Sequence, residues 1–123
     1  MPKILIADDS QFMRNMLKDI LVKEGHKDNL EAEDGIEALR ILKSKKKPDL
    51  ILLDIIMPNL GGLGVLRKMK KSDVSKRVIV VTAVGQEKMK EEAKKLGVEN
   101  YIVKPFREKE VVEMVKKILE ALE

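Results

Sequence analysis

A chain of 123 residues, 44% hydrophobic and 37% charged, has material for one packed core and too little for two. It contains no Cys, which excludes a disulfide framework, thiolate metal ligation and a cysteine nucleophile. A net charge of +4 is too small an excess to single out a nucleic-acid partner, and direct DNA binding is not expected. The basic run from Lys43 to Lys47, broken by Ser44 and free of aromatics, reads as a solvated helix end ahead of Pro48. The opening Met1-Pro2-Lys3-Ile4-Leu5-Ile6-Ala7 is too short an apolar run for a signal peptide, and no later stretch has the length to span a bilayer. A cytoplasmic protein without membrane insertion is expected.

Ile4–Ala7 is a short continuous apolar run, the pattern of a strand buried on both faces, and Asp8-Asp9 follows it. Phe12, Met13, Met16, Leu17, Ile20 and Leu21 then recur at helical spacing until Gly25, predicting a helix with those residues inward and His26 as a surface turn residue. From Lys27 to Glu33 the alternation needs a second strand, yet only Leu30 and Ala32 are apolar, which predicts an edge strand blunted by charge. Asp34, with Glu37 three residues on, is a capping-box start for a helix through about Lys46 that carries Ile36, Leu39 and Leu42 inward. Leu50–Leu53 is a further buried strand and ends on Asp54. A third helix is predicted from about Leu63 to Lys70. The strand Val78–Val81 runs into Thr82-Ala83, a fourth helix spans about Gln86 to Leu96, and the strand Tyr101–Val103 runs into Lys104-Pro105. The last helix, about Arg107 to Leu122, presents Val111, Val112, Val115, Ile118, Leu119 and Leu122 on one side. Strands alternating with five helices predict a single α/β domain over residues 1–123, with a doubly wound parallel sheet.

In such a sheet ligands bind beyond the carboxyl ends of the strands, so the residues that follow each strand carry the chemistry. They are Asp8, Asp9, Asp54, Thr82 and Lys104. Carboxylates a few ångströms apart repel by about 4 kcal/mol at intermediate dielectric, so three converging acids call for a cation. Oxygen donors without His or Cys favour a hard ion, and Mg2+ commonly bridges carboxylates to a phosphate. Lys104 supplies a compact positive charge for a phosphoryl oxygen, and the Thr82 hydroxyl can donate to another. Asp54 is then placed to attack phosphorus and form an acyl phosphate. No Walker loop and no G-x-G-x-x-G run after a strand is present, so ATP is not the expected donor.

Taken together, Asp8-Asp9, Asp54 with Met57-Pro58 and Gly62, Thr82-Ala83, and Lys104-Pro105-Phe106 resemble the receiver domains of two-component response regulators, from Lys3 to Leu122. The resemblance implies a five-stranded, flavodoxin-like (βα)5 fold of strand order 2-1-3-4-5. It implies that Asp54 accepts phosphate from a sensor histidine kinase, and that Asp8, Asp9, Asp54 and the Ile56 backbone carbonyl arrange Mg2+. Thr82 and Tyr101 become a coupled switch that reshapes the face formed by the fourth predicted helix, the fifth strand and the last helix. That face is expected to dock a downstream protein, with the flagellar motor switch as one candidate. The Lys104-Pro105 bond is implied to be cis, although X-Pro bonds in general are cis only about 5–6% of the time. The protein is expected to be a monomer and not an enzyme, supporting only its own phosphotransfer and a slow autodephosphorylation.

Ser10-Gln11-Phe12-Met13-Arg14 and Thr82-Ala83-Val84-Gly85-Gln86 are similar to stand-alone, CheY-like chemotaxis receivers. A phosphorelay intermediate and a receiver-like scaffold that is never phosphorylated are the alternatives. The chain is expected to act by docking, since no output domain follows the last helix. A metal-dependent phosphatase is disfavoured because Ile56 stands where such enzymes carry a second Asp. Three departures from the family pattern stand out. Gly61-Gly62 replaces Asp-Gly, which suggests a softer loop. The apolar Ile56 predicts slow loss of the phosphoryl group. The polar second strand could also shift its register.

Overall fold

The computed structural model describes all 123 residues, Met1–Glu123. In chain order its elements are β1 Ile4–Ala7, α1 Gln11–Lys23, β2 Asn29–Ala32, α2 Gly35–Lys43, β3 Leu50–Leu53, α3 Gly62–Arg67, α4 Lys71–Arg77, β4 Val78–Thr82, α5 Glu87–Lys95, β5 Asn100–Val103 and α6 Glu108–Ala121. The strands form one all-parallel sheet in the order β2-β1-β3-β4-β5. Ala7 pairs with both Ala32 and Leu53, so β2, β1 and β3 end level and the residues after them emerge at one edge.

Alternate strand residues divide the core into two layers, as the two-residue side-chain period requires. Leu5, Ala7, Ile51, Leu53, Val78 and Val80 face one side, where Ala38 of α2, Val65 and Leu66 of α3, Val74 of α4 and Ala93 of α5 cover them. Ile4, Ile6, Leu50, Leu52, Ile79, Val81 and Ile102 face the other, beneath Leu17, Ile20 and Leu21 of α1 and Val111, Val115 and Ile118 of α6. Both faces of the central strands are therefore dry, which is why these runs lack polar alternation.

The predicted edge strand is present over Asn29–Ala32, in register with β1 from Ile4↔Asn29 to Ala7↔Ala32. Leu30 packs with the first layer and Ala32 is fully buried. Glu31 turns to the α1 side, where Arg14 and Lys18 pair with it. The polarity of this strand thus reflects ion pairs with α1 as well as exposure.

Three expectations need correction. There are six helices and not five, because α4 follows α3 directly. Its sequence Lys-Ser-Asp-Val-Ser-Lys-Arg has one buried anchor, Val74, so no apolar period marks it. Phe12, Met16 and Ile36 are exposed rather than inward, while their neighbours Leu17 and Ala38 take the buried positions. The capped helix α2 ends at Lys43, where Ser44 leaves the helix at ψ 173° and its hydroxyl donates to the Ile41 carbonyl at 2.7 Å. Its start is as predicted: the Asp34 carboxylate accepts from the Glu37 amide at 2.8 Å.

Candidate functional site

Beyond the carboxyl edge of the sheet, β1 delivers Asp8 and Asp9, β3 delivers Asp54, β4 ends on Thr82 and β5 leads into Lys104. Carboxylate oxygens of Asp8, Asp9 and Asp54 lie within 4.8 Å of one another. Lys104 Nζ reaches between two of them, 2.7 Å from Asp8 Oδ2 and 2.9 Å from Asp54 Oδ2. Asp8 and Asp54 are buried and Asp9 is exposed, so the cluster has a wet mouth and a dry floor. The Lys104-Pro105 peptide is cis, and the Lys104 amide donates to the Thr82 carbonyl at 2.8 Å.

Burial pushes the Asp8 carboxyl above the ordinary carboxylate range, against the opposing pull of the Lys104 ammonium and the Ser10 amide. For Lys104, burial pulls the other way, but its hydrogen bonds to Asp8 and Asp54 outweigh it and the ammonium is held above its usual value. One cation therefore faces three carboxylates. The donor set suits a hard divalent ion, which needs oxygen ligands and offsets the remaining charge. The Asp9 carboxylate and the Ile56 carbonyl accept no hydrogen bond within the protein. The carboxylates of Asp8, Asp9 and Asp54 thus suit a Mg2+ site, and the Ile56 carbonyl is left free of protein partners.

The loop after β3 is held close to the site by main-chain contacts. Ile56 N–H donates to Asp54 Oδ1 at 3.2 Å, and Gly62 N–H donates to the Ile55 carbonyl at 2.8 Å. A Cβ at Gly62 would lie 2.3 Å from the Asp54 carbonyl oxygen. This glycine is needed for close approach, since α3 starts against the backbone of Asp54 itself. Asn59 adopts φ 67° and is tied down by its side chain, which donates to Asp34 Oδ2 at 2.6 Å. Asn tolerates the left-handed region better than most residues.

Thr82 is fully buried, and its hydroxyl oxygen accepts only a long bond, 3.4 Å, from the Val84 amide. Its hydroxyl proton is not used by any acceptor in the protein. The half-buried Tyr101 donates its hydroxyl to the Val84 carbonyl at 2.6 Å, so Thr82 and Tyr101 both engage the main chain of residue 84. Burial, with Asp54 adding to it, raises the Tyr101 phenol above its usual value. A surface cavity of about 680 Å3 lined by Arg77, Asn100 and Lys117 lies at the opposite edge, away from all of these groups.

The structure brings Asp8, Asp9, Asp54, Thr82 and Lys104 to one edge, while Tyr101 lies within β5 and reaches toward it through residue 84. One buried residue there was not singled out. Arg14 is 5% exposed and its Nη1 donates to the Asp8 carbonyl at 2.6 Å. The available signal was its position on the inward side of α1, in phase with Leu17 and Leu21, where an apolar residue is usual.

The model of the response regulator receiver domain matches residues 4–116. The chain belongs to this family. Among curated relatives, it is 43% identical to the chemotaxis protein CheY of Bacillus subtilis over 95% of this chain and 97% of that one. It is 41% identical to sporulation initiation phosphotransferase F of the same organism, over 95% and 93% of the two chains. A chain in the crystal structure of the CheX-CheY-BeF3-Mg+2 complex from Borrelia burgdorferi is similar at a TM-score of 0.84 and 31% identity, over 95% of this chain and 88% of that one. This receiver domain is thus a two-component signalling module. Its pocket of Asp8, Asp9 and Asp54 is the acidic pocket in which receivers bind Mg2+. No helix is long and apolar enough to cross a membrane.

Proposed function

We propose that Asp54 accepts a phosphoryl group from a histidine kinase and that the phosphorylated form docks a downstream protein. The observation that carries this reading is the bridging of Asp8 and Asp54 by Lys104 Nζ within a cluster of three carboxylates. Asp54 Oδ attacks phosphorus while the bond to the kinase imidazole breaks, and the imidazole leaves with a proton. Lys104 follows the developing charge from the carboxylate to a phosphoryl oxygen, and the free Thr82 hydroxyl donates to another. Asp8, Asp9, Asp54 and the Ile56 carbonyl would hold a Mg2+, which would supply charge neutralisation for the transferring group. The buried floor keeps these interactions out of bulk water, where they would be weaker.

Drawing the Thr82 hydroxyl toward the phosphoryl group loosens its contact with the Val84 amide. The Val84 carbonyl holds Tyr101, so the same movement frees the aromatic ring to turn. The readout surface is then the face of α5, β5 and α6. The likeness to CheY favours a chemotaxis target such as the flagellar motor switch. The likeness to a sporulation phosphotransferase favours a second reading, a phosphorelay intermediate that passes its phosphoryl group on. The test is intact mass after incubation with purified histidine kinase, ATP and Mg2+, followed by addition of a histidine phosphotransfer protein. A phosphoryl adduct on Asp54 supports the switch, its rapid loss to the phosphotransfer protein supports the relay, and the absence of any adduct favours a scaffold.

A further inference from the structure

We infer that Arg14 is a positioning residue for the cation site, fixing the peptide plane between Asp8 and Asp9 so that both carboxylates face the same ion. This rests on the reading of Asp8, Asp9 and Asp54 as the Mg2+ ligands. Asp8 is pinned at every polar atom. Its amide donates to the Ala32 carbonyl at 3.0 Å, Oδ1 accepts from Ser10 N–H at 2.9 Å, and Oδ2 accepts from Lys104. Its carbonyl lies beyond the last paired residue of β1, where the sheet ladder no longer supplies a donor, and Arg14 Nη1 takes that place.

The next peptide nitrogen is that of Asp9, which makes no hydrogen bond of its own. The direction in which Asp9 leaves the strand is therefore set through the Asp8 carbonyl, and hence by Arg14. The guanidinium is in turn held on the edge strand side, with Nε 2.9 Å from Glu31 Oε1 and Nη2 3.7 Å from Glu33 Oε1. Two donors of one rigid plane meet two acceptors in different directions, with the Glu33 carboxylate close by, an arrangement that an ammonium cannot reproduce. Packing alone does not account for a buried charge here. An aliphatic residue would fill the same inward position of α1 without the desolvation cost of an ion.

Residues that orient metal ligands typically change affinity by 10–100-fold when removed. The decisive measurement is Mg2+ affinity, read from calorimetric titration and from the rise of Tm with Mg2+ concentration. Wild type is compared with Arg14→Lys, Arg14→Met and Glu31→Gln, each with its Tm recorded first in EDTA. Both Arg14 variants are expected to bind Mg2+ at least about tenfold more weakly. Phosphorylation by a small phosphodonor should recover to near the wild-type rate at saturating Mg2+. Glu31→Gln, which keeps the guanidinium but loosens its anchor, should fall between. A lowered Tm in EDTA with unchanged Mg2+ affinity in the folded Arg14 variants would make Arg14 a structural residue only and overturn the inference. Asp54→Asn, which removes a ligand and the acceptor together, distinguishes the two claims. If it binds Mg2+ as tightly as wild type, the metal site itself has been misassigned.

Discussion

Lys104 has two tasks that compete. It compensates Asp8 and Asp54, and in the proposed transfer it turns to the phosphoryl group. Lys104→Met should therefore bind Mg2+ as tightly as wild type or more tightly, because a competing cation has gone, while the rate of phosphoryl capture falls by at least about tenfold. Separate titration and mass measurements would reveal the split. Ile56 is 60% exposed at the mouth of the site and offers nothing that can hold an attacking water. Ile56→Asn is expected to shorten the lifetime of the phosphoryl group severalfold, as followed by its decay in intact-mass spectra. An unchanged lifetime would show that the side chain at this position does not limit hydrolysis. At Gly62, even Ala meets the Asp54 carbonyl at 2.3 Å, so Gly62→Ala should cost about 1–3 kcal/mol in urea unfolding and disturb Asp54 directly.

Among the elements, the edge strand shows how a weak sequence signal arises. Leu30 and Ala32 alternate as a half-buried strand should, but Glu31 between them exists for Arg14 and Lys18, two helical residues far away in sequence. Bonds to Lys18 first, and to Arg14, hold the Glu31 carboxyl below its ordinary 4.5, against a smaller opposing effect of burial. A carboxylate lowered on folding contributes stability above its unfolded value and loses it as pH falls through its folded one. Glu31→Gln should thus lower Tm by a few degrees at pH 7, and the difference should shrink below about pH 4.5. A difference that did not shrink at all as the pH was lowered below 4.5 would contradict an electrostatic origin. Glu31 is about one-third exposed, so solvent limits the size of the effect.

The central strands were legible to within a residue because Ile4–Ala7, Leu50–Leu53 and Val78–Thr82 are apolar on both faces. The helix α4 was not, because one buried valine in seven residues creates no period. Phe12 and Ile36 misled for a related reason: each extends an apolar helical pattern onto the first turn, which here projects beyond the sheet edge into solvent.

At the scale of the whole molecule, the fold reduces to a sheet with two dry faces and one reactive edge. The site residues were readable because a doubly wound sheet sends the end of each strand to that edge, so Asp8, Asp9, Asp54, Thr82 and Lys104 follow from strand assignment alone. Arg14 was not readable in the same way, since its role depends on where one carbonyl points after the ladder ends. The proposed switch runs from Thr82 at that edge through residue 84 to Tyr101, whose ring also lies 5.8 Å from the Lys90 ammonium of α5. In the proposed switch, a new charge at Asp54 reaches the surface of α5 and β5 through Thr82, the main chain of residue 84 and Tyr101.

The measurement that bears most directly on this account is intact mass after incubation with Mg2+ and a small phosphodonor, for wild type and Asp54→Asn. One phosphoryl group added to the wild type, lost on removal of Mg2+ before the reaction and absent from the variant, is the predicted result. An adduct that persists in Asp54→Asn, or no adduct on a folded wild-type protein, would contradict it.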